Sequence, residues 1–572
     1  NIPSTDNYFY NYEEIEIPMF SAFIIDCYIP NIKTNEHLIL YPFCDKNIKV
    51  EIPECVVKSN NIKVLIMNNT SNYISLEKGK PLGVFEYAKE PLKNHENFRL
   101  LRHVNDLNES DKIHLETERK KWLDQRNLDL KNAVFDVESF DLSNLNPDTK
   151  TTFKKLLTHF KDVFAISASD RGFTPYQYNI DWVKNEQPPL EEFYQKQFPT
   201  APANREPVNK ELARLVEIGI IEKASSAANI PMIAVIKDRP GQSKKVRLVM
   251  NFIKLNKFIS ERHFPIQNSQ EILFNLGNVI NKLNKAKIKG YFTSLDIKSA
   301  FHTILLAKTD RLYTAFSFER NQYISKFLPF GLRSSPSTWT ELLNRVLDAL
   351  LQKHEEIFYF VEDSLIYASL DKTIEILHEV FKVFRENGLI ICPAKAVFLQ
   401  NEIIFLGKKV TRTGISEAEQ QLKKVIEAPK PKTLKQLQKF LGMMAFVCQR
   451  IPYINIASRY LYALVGECQN RPFRWEEKHE ISFERAKNAM NTAIETNHFN
   501  VNEKVFVCSD TSDEGTGYAY GNFKLDCNNE KTFKICGIGS KPLTPKFKPQ
   551  STEIKELWGA LQALRDFRTT LQ

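Results

Sequence analysis

Apolar and polar positions divide the chain into segments of different character. From about residue 12 to 88, β-type runs such as HLILYPF and KVLIMNN alternate with Asn, Gly and Pro turns, which predicts a small all-β domain over residues 1–90. Residues 91–175 instead show apolar positions at helical spacing, as in TKTTFKKLLTHFKDVFA. We interpret this second segment as a helical linker.

The remaining two thirds of the chain mixes helix-like and strand-like patterns. Residues 176–415 contain an amphipathic helix, VNKELARLVEIGIIEKA, strand-like runs such as IPMIAVI and GYFTSLDI, and helices near 334–352 and 372–387. Residues 416–495 have a helical pattern, and residues 496–572 contain three strand-like runs and a final helix. The order of elements predicts an α+β, multidomain protein rather than a repeated βαβ fold.

Composition narrows the class of protein. A chain of 572 residues is too long for one core, and 42% hydrophobic with 26% charged residues is typical of a globular protein. The net charge of +9 permits nucleic-acid binding without requiring it. Nine Cys without a CxxC pair argue against a disulfide framework or a zinc module, and favour a reducing, intracellular setting.

Targeting signals add little to this picture. No apolar stretch approaches the roughly 20 residues that a membrane-spanning helix needs, so no membrane partner is expected. The chain begins with Asn1 rather than Met, and we expect either a trimmed product or a piece of a longer precursor.

Three acidic residues interrupt apolar runs. In FYFVEDSLIYA, Glu362 and Asp363 lie where the pattern predicts the tip of a β-hairpin, and Asp296 ends the run YFTSLD. Each acid alone fits a solvated turn. Carboxylates that converge from separate strands repel each other and lose hydration, so cations usually neutralise them. Oxygen ligands favour Mg²⁺, and two such ions can support nucleotidyl transfer.

Ten motifs occur in a specific order between residues 215 and 475. They are LVEIGIIEKASSAANIPMIAVIK, RLVMNFIKLN, FTSLDIKSAFHTI, TAFSF, LPFGLRSSPSTW, YFVEDSLIYA, HEVFKVFRENGLIICPAKAVF, IIFLGKKVTRTGI, LQKFLGMMAF and FRW. In this order the chain resembles the reverse transcriptase and ribonuclease H region of gypsy-like LTR retrotransposon Pol polyproteins. The β-domain resembles a segment that some of these elements carry between protease and polymerase.

The resemblance implies a right-hand polymerase with an N-terminal β domain and a C-terminal, partial ribonuclease H-like α/β domain. The implied parts are fingers at roughly 200–290 with a return near 303–328, palm at 290–302 and 329–410, a helical thumb or connection at 416–495, and the truncated ribonuclease H-like domain at 496–572. The implied activity is RNA-directed DNA polymerase (reverse transcriptase) activity.

The resemblance also assigns roles to single residues. Asp296, Glu362 and Asp363 would be catalytic and would hold two Mg²⁺ ions, for which Mn²⁺ is a substitute, with the Ile297 carbonyl assisting one of them. The residues implied to bind the nucleotide are Lys237, Arg247, Phe301, Phe330, Gly331 and Lys395. Phe301 would be the steric gate against ribose, and Lys395 would protonate pyrophosphate. Asp510 and Glu556 would belong to a ribonuclease H site that we expect to be incomplete.

Expected partners follow from the same family. They are an RNA template with a DNA primer or an RNA/DNA hybrid, deoxynucleoside triphosphates, a homo- or heterodimer partner, and the protease and integrase of the same polyprotein. The expected location is a cytoplasmic virus-like particle, with the nucleus as an alternative. The basic stretch 423–450, where seven Lys or Arg accompany one acid, is predicted to contact phosphates.

Three positions depart from the family pattern. The chain has Asn251-Phe252-Ile253 where the family has Asp-x-Arg, and Glu362 where the hairpin tip usually carries Asp. The extra methylene of glutamate moves the carboxylate by about 1 Å, a misplacement that can cost roughly 100-fold in rate. Two hypotheses therefore stay open, an impaired polymerase and a catalytically inactive structural subunit or nucleic-acid-binding host protein. A general single-strand binding module is a third class, and the acid cluster argues against it.

Overall fold

The computed structural model describes most of the chain. The described residues are the strands and Lys78 within the first 99 residues, and residues 101–568 apart from 168, 184–185, 238–244, 261–263, 265–267, 470 and 526–530. Side chains outside the description include most of those in the first 99 residues and those of Lys237, Lys245, Leu525 and Lys531. The chain divides into two compact units, Asn1–Arg99 and Leu100–Gln572.

The first unit is built from β-strands. They are β1 (Tyr8–Asn11), β2 (Ile15–Ile17), β3 (Ser21–Tyr28), β4 (Leu38–Pro42), β5 (Val50–Glu51), β6 (Cys55–Val57), β7 (Asn61–Asn68), β8 (Ile74–Leu76) and β9 (Pro81–Tyr87). Seven of them form an antiparallel sheet in the order β5-β7-β3-β1-β9-β4-β6, and β2 pairs with β8. The N-terminal β domain predicted from the alternating pattern is confirmed.

The second unit begins with a mixed α/β region. Its elements are β10 (Leu101–His103), α1 (Glu109–Asn132), α2 (Pro147–His159), β11 (Tyr176–Tyr178), α3 (Pro202–Glu217), β12 (Ile221–Lys223), β13 (Met232–Lys237), β14 (Lys245–Met250), α4 (Ser269–Lys285), β15 (Gly290–Asp296), β16 (Leu305–Leu306), α5 (Lys308–Arg311), β17 (Phe316–Phe318), β18 (Asn321–Ser325), α6 (Ser335–Lys353), β19 (Ile357–Phe360), β20 (Asp363–Ser369), α7 (Leu370–Asn387), β21 (Val397–Gln400), β22 (Glu402–Phe405), β23 (Lys408–Thr411) and β24 (Gly414–Glu417).

A helical region and a second small sheet complete this unit. The elements are α8 (Glu419–Ile426), α9 (Leu434–Val447), α10 (Ile454–Ala457), α11 (Arg459–Glu467), α12 (Glu477–Ala489), β25 (Thr496–Asn497), β26 (Lys504–Thr511), β27 (Gly515–Leu525), β28 (Lys531–Pro542) and α13 (Thr552–Asp566). The α+β, multidomain fold class is confirmed.

The central sheet has the order β19-β20-β15-β21 and is covered on both faces. Along β20, Ile366 and Ala368 join the core that contains α6 and α7, whereas Leu365 and Tyr367 join the core that contains α4. Successive side chains of a strand point to opposite faces, so burial of both faces explains the continuous apolar run SLIYA. Within these four strands the charged residues are Asp296 and Asp363, which lie at the same end of the sheet.

The helical linker predicted over residues 91–175 is not a separate segment in the part that the structure describes, which begins at residue 101. Phe153 and Leu157 of α2 are fully buried in the core that also contains Leu295 of β15 and Phe381 of α7. Apolar spacing showed that the segment is helical, but it did not show which neighbour the apolar face covers. The structure places α2 and its flanking residues in the core beneath the central sheet, and the linker interpretation is corrected.

Three smaller layers surround the central sheet. Helix α3 packs on the sheet β12-β18-β17 through Val208, Leu212 and Phe316, and the hairpin β13–β14 extends beside it. Helices α8 to α12 share a core around Leu437 and Phe483. Strands β26-β27-β28 form an antiparallel sheet against which α13 packs. Among the described helices, none is long and apolar enough to span a bilayer.

A buried carboxyl group makes the stability of this region depend on pH. Asp310 in α5 is 2% exposed, and it accepts hydrogen bonds from the Ile180 N–H at 2.8 Å and the Gln187 amide at 3.1 Å. Burial raises the pKa of Asp310 to about 6, although these hydrogen bonds oppose the shift. The folded state therefore binds this proton more tightly than the unfolded state does.

We expect the free energy of unfolding contributed by this group to fall as pH rises from about 4 to about 6, by about 3 kcal/mol. Asp310→Asn removes the titration. The free energy of unfolding is measured for both proteins by denaturant titration. Between about pH 4 and pH 7 the wild type should lose about 3 kcal/mol relative to the variant. Parallel pH profiles would contradict the expectation.

Candidate active site

The three predicted acids meet at one end of the central sheet. Strands β19 and β20 pair with Phe360 opposite Asp363, so Val361 and Glu362 form a two-residue turn. Strand β15 runs antiparallel to β20, and its last residue, Asp296, lies opposite Asp363. The hairpin turn and the pairing register therefore bring Asp296, Glu362 and Asp363 together.

These carboxylates influence one another electrostatically. Loss of hydration raises the pKa of Glu362, the charge of Asp296 adds to the shift, and Lys395 and Arg247 oppose it. The pKa of Asp363 is raised by the same two causes. Lys395 donates a hydrogen bond to Asp296 Oδ2 at 2.8 Å. The cluster thus attracts cations, and its oxygen donors are those that Mg²⁺ prefers.

The Ile297 carbonyl lies next to these acids along the chain. Ile297 is buried and forms an isolated antiparallel bridge with Ile391. The flanking hydrogen bonds join the Cys392 N–H to the Asp296 carbonyl and the Lys298 N–H to the Ile390 carbonyl, both at 2.8 Å. Because carbonyls alternate in direction along an extended strand, the Ile297 carbonyl points away from this bridge.

Phe301, five residues after Asp296, forms with Phe330 and Gly331 a surface that we call the floor. Phe330 is 40% exposed, and its ring lies edge-on to those of Phe301 and His302, with centroids 5.0 Å apart in both pairs. Gly331 follows with φ +96°, a conformation that favours glycine. Phe330 and Gly331 therefore lie at the surface, and Phe301 is buried beneath Phe330.

Asn256 fixes the loop that carries this floor, a role that no motif of the sequence indicated. Its amide donates to the Gly331 carbonyl at 3.0 Å, and its amide oxygen accepts from the Arg333 N–H at 2.9 Å. One side chain thus supplies both a donor and an acceptor to the backbone of the loop. Asn256 ends the motif RLVMNFIKLN, but nothing local to that motif indicates a partner 75 residues away.

Trp339 fixes the hairpin turn and was also missed. Its indole Nε1 donates to the Val361 carbonyl at 2.6 Å, and its ring is fully buried. Val361 has φ +55°, which is rare for a β-branched residue and strained. Trp339 closes the motif LPFGLRSSPSTW, and its indole N–H was the only signal that a polar partner would be needed.

Two of the residues implied to bind the nucleotide, Lys237 and Arg247, lie on the hairpin β13–β14. Arg247 is exposed on β14 opposite Val235, and its charge acts on Glu362. Lys237 ends β13, and its side chain lies outside the described residues. At the nearby departure from the family pattern, Asn251 Oδ1 accepts from the Ile253 N–H at 3.3 Å, so Asn251 stabilises a turn. Ile253 is 69% exposed.

Lys395 contacts one of the three acids, Asp296. Burial lowers the pKa of Lys395, but its hydrogen bond to Asp296 and the charge of that carboxylate outweigh burial, so the pKa is raised on balance. The ammonium group is therefore charged beside the acid cluster. Its proposed role toward pyrophosphate stays a prediction.

The two ribonuclease H-type acids are also close together. The Thr511 N–H donates to Glu556 Oε1 at 3.2 Å, which places Glu556 of α13 beside Asp510 at the end of β26. Asp513 pairs with Lys555 at 2.7 Å, as expected for a turn residue. The fold therefore brings together Asp510 and Glu556, the two acids that the sequence predicted for this site.

The basic stretch 423–450 is less uniform than the sequence suggested. Arg450 turns inward, where it donates to Glu417 at 3.3 Å and to Thr496 at 2.9 Å. Lys408 also binds the fully buried Glu417 side chain, at 2.7 Å. Arg450 thus belongs to a buried ionic network between β23, β24 and the end of α9, and it does not add to the exposed basic surface.

Comparison with known proteins relates two segments of the chain to reverse transcriptases. Residues 236–410 match the family model described as reverse transcriptase (RNA-dependent DNA polymerase). This segment is a reverse transcriptase domain. It contains the hairpin tip, Asp296 and the floor residues, while residues 475–572 match the RNase H-like domain found in reverse transcriptase. The predicted resemblance to the reverse transcriptase and ribonuclease H region of a retrotransposon Pol polyprotein is confirmed.

A curated relative and two solved structures agree with this assignment. The Drosophila melanogaster "Retrovirus-related Pol polyprotein from transposon 297" is 30% identical over 326 residues, which cover 56% of this chain and 29% of that polyprotein. The chain therefore spans less than a third of that relative's length. The reverse transcriptase domain and its surroundings are also similar in fold to foamy viral protease-reverse transcriptase.

The two foamy viral structures differ in the nucleic acid that they contain. The complex with dsDNA has a TM-score of 0.62 and 22% identity, and the match covers 76% of this chain and 85% of that one. The complex with an RNA/DNA hybrid has a TM-score of 0.60 and 19% identity, and the match covers 94% of this chain and 64% of that one. These likenesses confirm the predicted right-hand architecture around the reverse transcriptase domain.

Proposed function

We propose that this chain is an RNA-directed DNA polymerase that adds deoxynucleotides to a primer 3′-hydroxyl. The observation that carries the proposal is the convergence of Asp296, Glu362 and Asp363 at the tip of the central sheet. Three acids at one strand end cost electrostatic free energy, as the raised pKa values of Glu362 and Asp363 indicate. Such an arrangement is expected where cations are used.

The donor set fits divalent cations. Asp296, Glu362, Asp363 and the Ile297 carbonyl would hold two Mg²⁺ ions, with Mn²⁺ as a substitute. When bound, the ions lower the pKa of the attacking hydroxyl and stabilise charge on the leaving pyrophosphate. Lys395 balances part of the negative charge of this cluster through its hydrogen bond to Asp296.

The surrounding residues suit a nucleoside triphosphate. Arg247 is exposed on β14, its charge acts on Glu362, and guanidinium groups bind phosphate oxygens in a bidentate way. Phe330 offers an exposed ring on which a base can stack. Phe301, fixed against Phe330, would restrict space near the sugar and favour deoxynucleotides.

Helix α9 provides a surface for a template–primer duplex. Lys432, Lys435 and Lys439 are exposed along it and just before it. Gly442 lies within the helix, and a Cβ at this position would meet nothing within 4 Å. An exposed glycine in a helix costs about 1 kcal/mol relative to alanine, so its presence fits close approach of a ligand backbone. The foamy viral proteins of similar fold were solved with dsDNA and with an RNA/DNA hybrid.

Binding of an RNA/DNA hybrid is part of the proposal, and RNA cleavage is not. Asp510 and Glu556 are two acids of a site that needs more carboxylates for a two-metal arrangement. A dimer partner, and association with the protease and integrase of a common polyprotein, stay predictions.

Primer extension tests the proposal. The protein is incubated with an RNA template, a labelled DNA primer and deoxynucleoside triphosphates, with Mg²⁺ or Mn²⁺, and the products are separated on a denaturing gel. We expect extension that requires the cation and that falls sharply when ribonucleotides replace deoxynucleotides. Binding of the duplex should weaken as salt rises, because lysine contacts release counterions.

A protein that binds the duplex in a salt-dependent way and extends no primer with either cation would contradict the proposal. That outcome would instead favour a nucleic-acid-binding protein that has lost catalysis.

A further inference from the structure

One hydrogen bond acts directly on the turn that carries the acids. Trp339 lies in α6, 22 residues before the residue that it contacts, and its Nε1 donates to the Val361 carbonyl at 2.6 Å. The indole ring is fully buried, and its centroid lies 6.4 Å from that of Phe301 in an edge-on arrangement. Trp339 therefore contacts both the hairpin turn and the ring beneath the floor.

The contacted carbonyl belongs to a strained peptide. Val361 has φ +55°, a conformation that a β-branched residue adopts only when its surroundings fix it. The same peptide unit joins Val361 to Glu362, and Asp363 follows opposite Asp296. Rotation of that peptide would move the side chain of Glu362 and shift the start of β20.

We infer that Trp339 is a positioning residue, whose indole N–H holds the Val361–Glu362 turn so that the carboxylates of Glu362 and Asp363 face Asp296. The inference rests on the proposed function, because it concerns the same acid cluster. It adds a residue that touches neither a cation nor a nucleotide and acts through the backbone of the turn. Outer partners that orient metal ligands typically change metal affinity 10–100-fold when removed.

A purely structural role for Trp339 is the rival explanation, and Trp122 supplies a matched control. The Trp122 Nε1 in α1 donates to the Arg171 carbonyl at 3.0 Å, so it makes the same type of bond to a backbone carbonyl away from the acids. Trp339→Phe and Trp122→Phe each remove one such bond and part of one ring. Because Trp339→Phe also alters buried packing, a second variant carries benzothienylalanine at position 339, which keeps the ring shape and lacks the N–H.

The test is a titration with Mn²⁺ alone, followed by electron paramagnetic resonance, on the full chain and on each variant. We expect both Trp339 variants to bind Mn²⁺ about 10-fold more weakly than the wild type, and Trp122→Phe to stay within about 2-fold. Hydrogen exchange of the turn should accelerate in the Trp339 variants only. Primer extension by the same proteins should show a lower kcat with little change in the KM for deoxynucleotides.

Three results would overturn the inference. They are unchanged Mn²⁺ affinity in the benzothienylalanine variant, equal losses in the Trp339 and Trp122 variants, and absence of Mn²⁺ binding by the wild type. Failure of the proposed function gives a different result. A wild type that binds Mn²⁺ but extends no primer contradicts the proposed function, and the Mn²⁺ affinities of the Trp339 variants still test the role of Trp339. Comparison of affinities therefore decides the role of Trp339 whether or not synthesis is observed.

Discussion

Asp296→Asn should reduce primer extension at least about 1000-fold, equivalent to about 4 kcal/mol of activation free energy. Asp296 lies opposite Asp363 in the sheet and accepts a hydrogen bond from Lys395, so it contacts both the acidic and the basic residues of the site. An amide keeps the shape of the side chain but removes the charge that would neutralise two cations. The measurement is the single-turnover rate of nucleotide addition with saturating Mg²⁺.

Asp124→Asn is the matched control, because Asp124 is an exposed aspartate on α1. It should extend primers like the wild type. Binding of the template–primer duplex should be retained in Asp296→Asn, since the basic face of α9 is unaltered. An Asp296→Asn protein that keeps a tenth or more of the wild-type rate would show that synthesis does not depend on this cluster.

Glu362→Asp should raise the rate of nucleotide addition, by up to about 100-fold with Mg²⁺. Glu362 occupies the second position of a two-residue turn, so its carboxylate extends one methylene further from a backbone that the hairpin fixes. Shortening the side chain moves the carboxylate by about 1 Å toward the distance that the family pattern implies. We expect a smaller gain with Mn²⁺ than with Mg²⁺, because Mg²⁺ demands near-ideal octahedral geometry.

Glu386→Asp makes the same chemical change on an exposed position of α7 and should leave the rate unaltered. If the wild type already extends primers at a rate that Glu362→Asp does not improve, glutamate is not an impairment at this tip. In that case the hydrogen bond from Trp339 to the Val361 carbonyl is a candidate for positioning the turn so that the longer glutamate side chain is accommodated.

Much of the site could be predicted because its residues follow local patterns. The apolar run SLIYA, buried on both faces, and the two acids before it indicated a hairpin with charges at its tip. The order of ten motifs indicated the family, which the matches at residues 236–410 and 475–572 confirm. Helical spacing in residues 101–165 gave the helices correctly.

The supporting contacts could not be predicted in this way. Asn256 binds the loop at Gly331, and Trp339 binds the turn at Val361, because folding brings these segments side by side. Arg450 in the basic stretch turns inward because Glu417 is buried beside it. Neither periodicity nor composition indicates which donor will reach which acceptor across the fold.

The sequence by itself determined the elements, because periodicity is a local property of the chain. The order of its motifs indicated the family and the identity of the acids. Only the tertiary structure decided that Asp296 faces Asp363, that Lys395 binds Asp296 and that Trp339 holds the turn. The pairing register of β15 and β20 places Asp296 opposite Asp363. The packing of α6 against the hairpin places the Trp339 indole at the Val361 carbonyl. A carboxylate cluster therefore becomes a candidate active site only when long-range packing fixes where each strand ends.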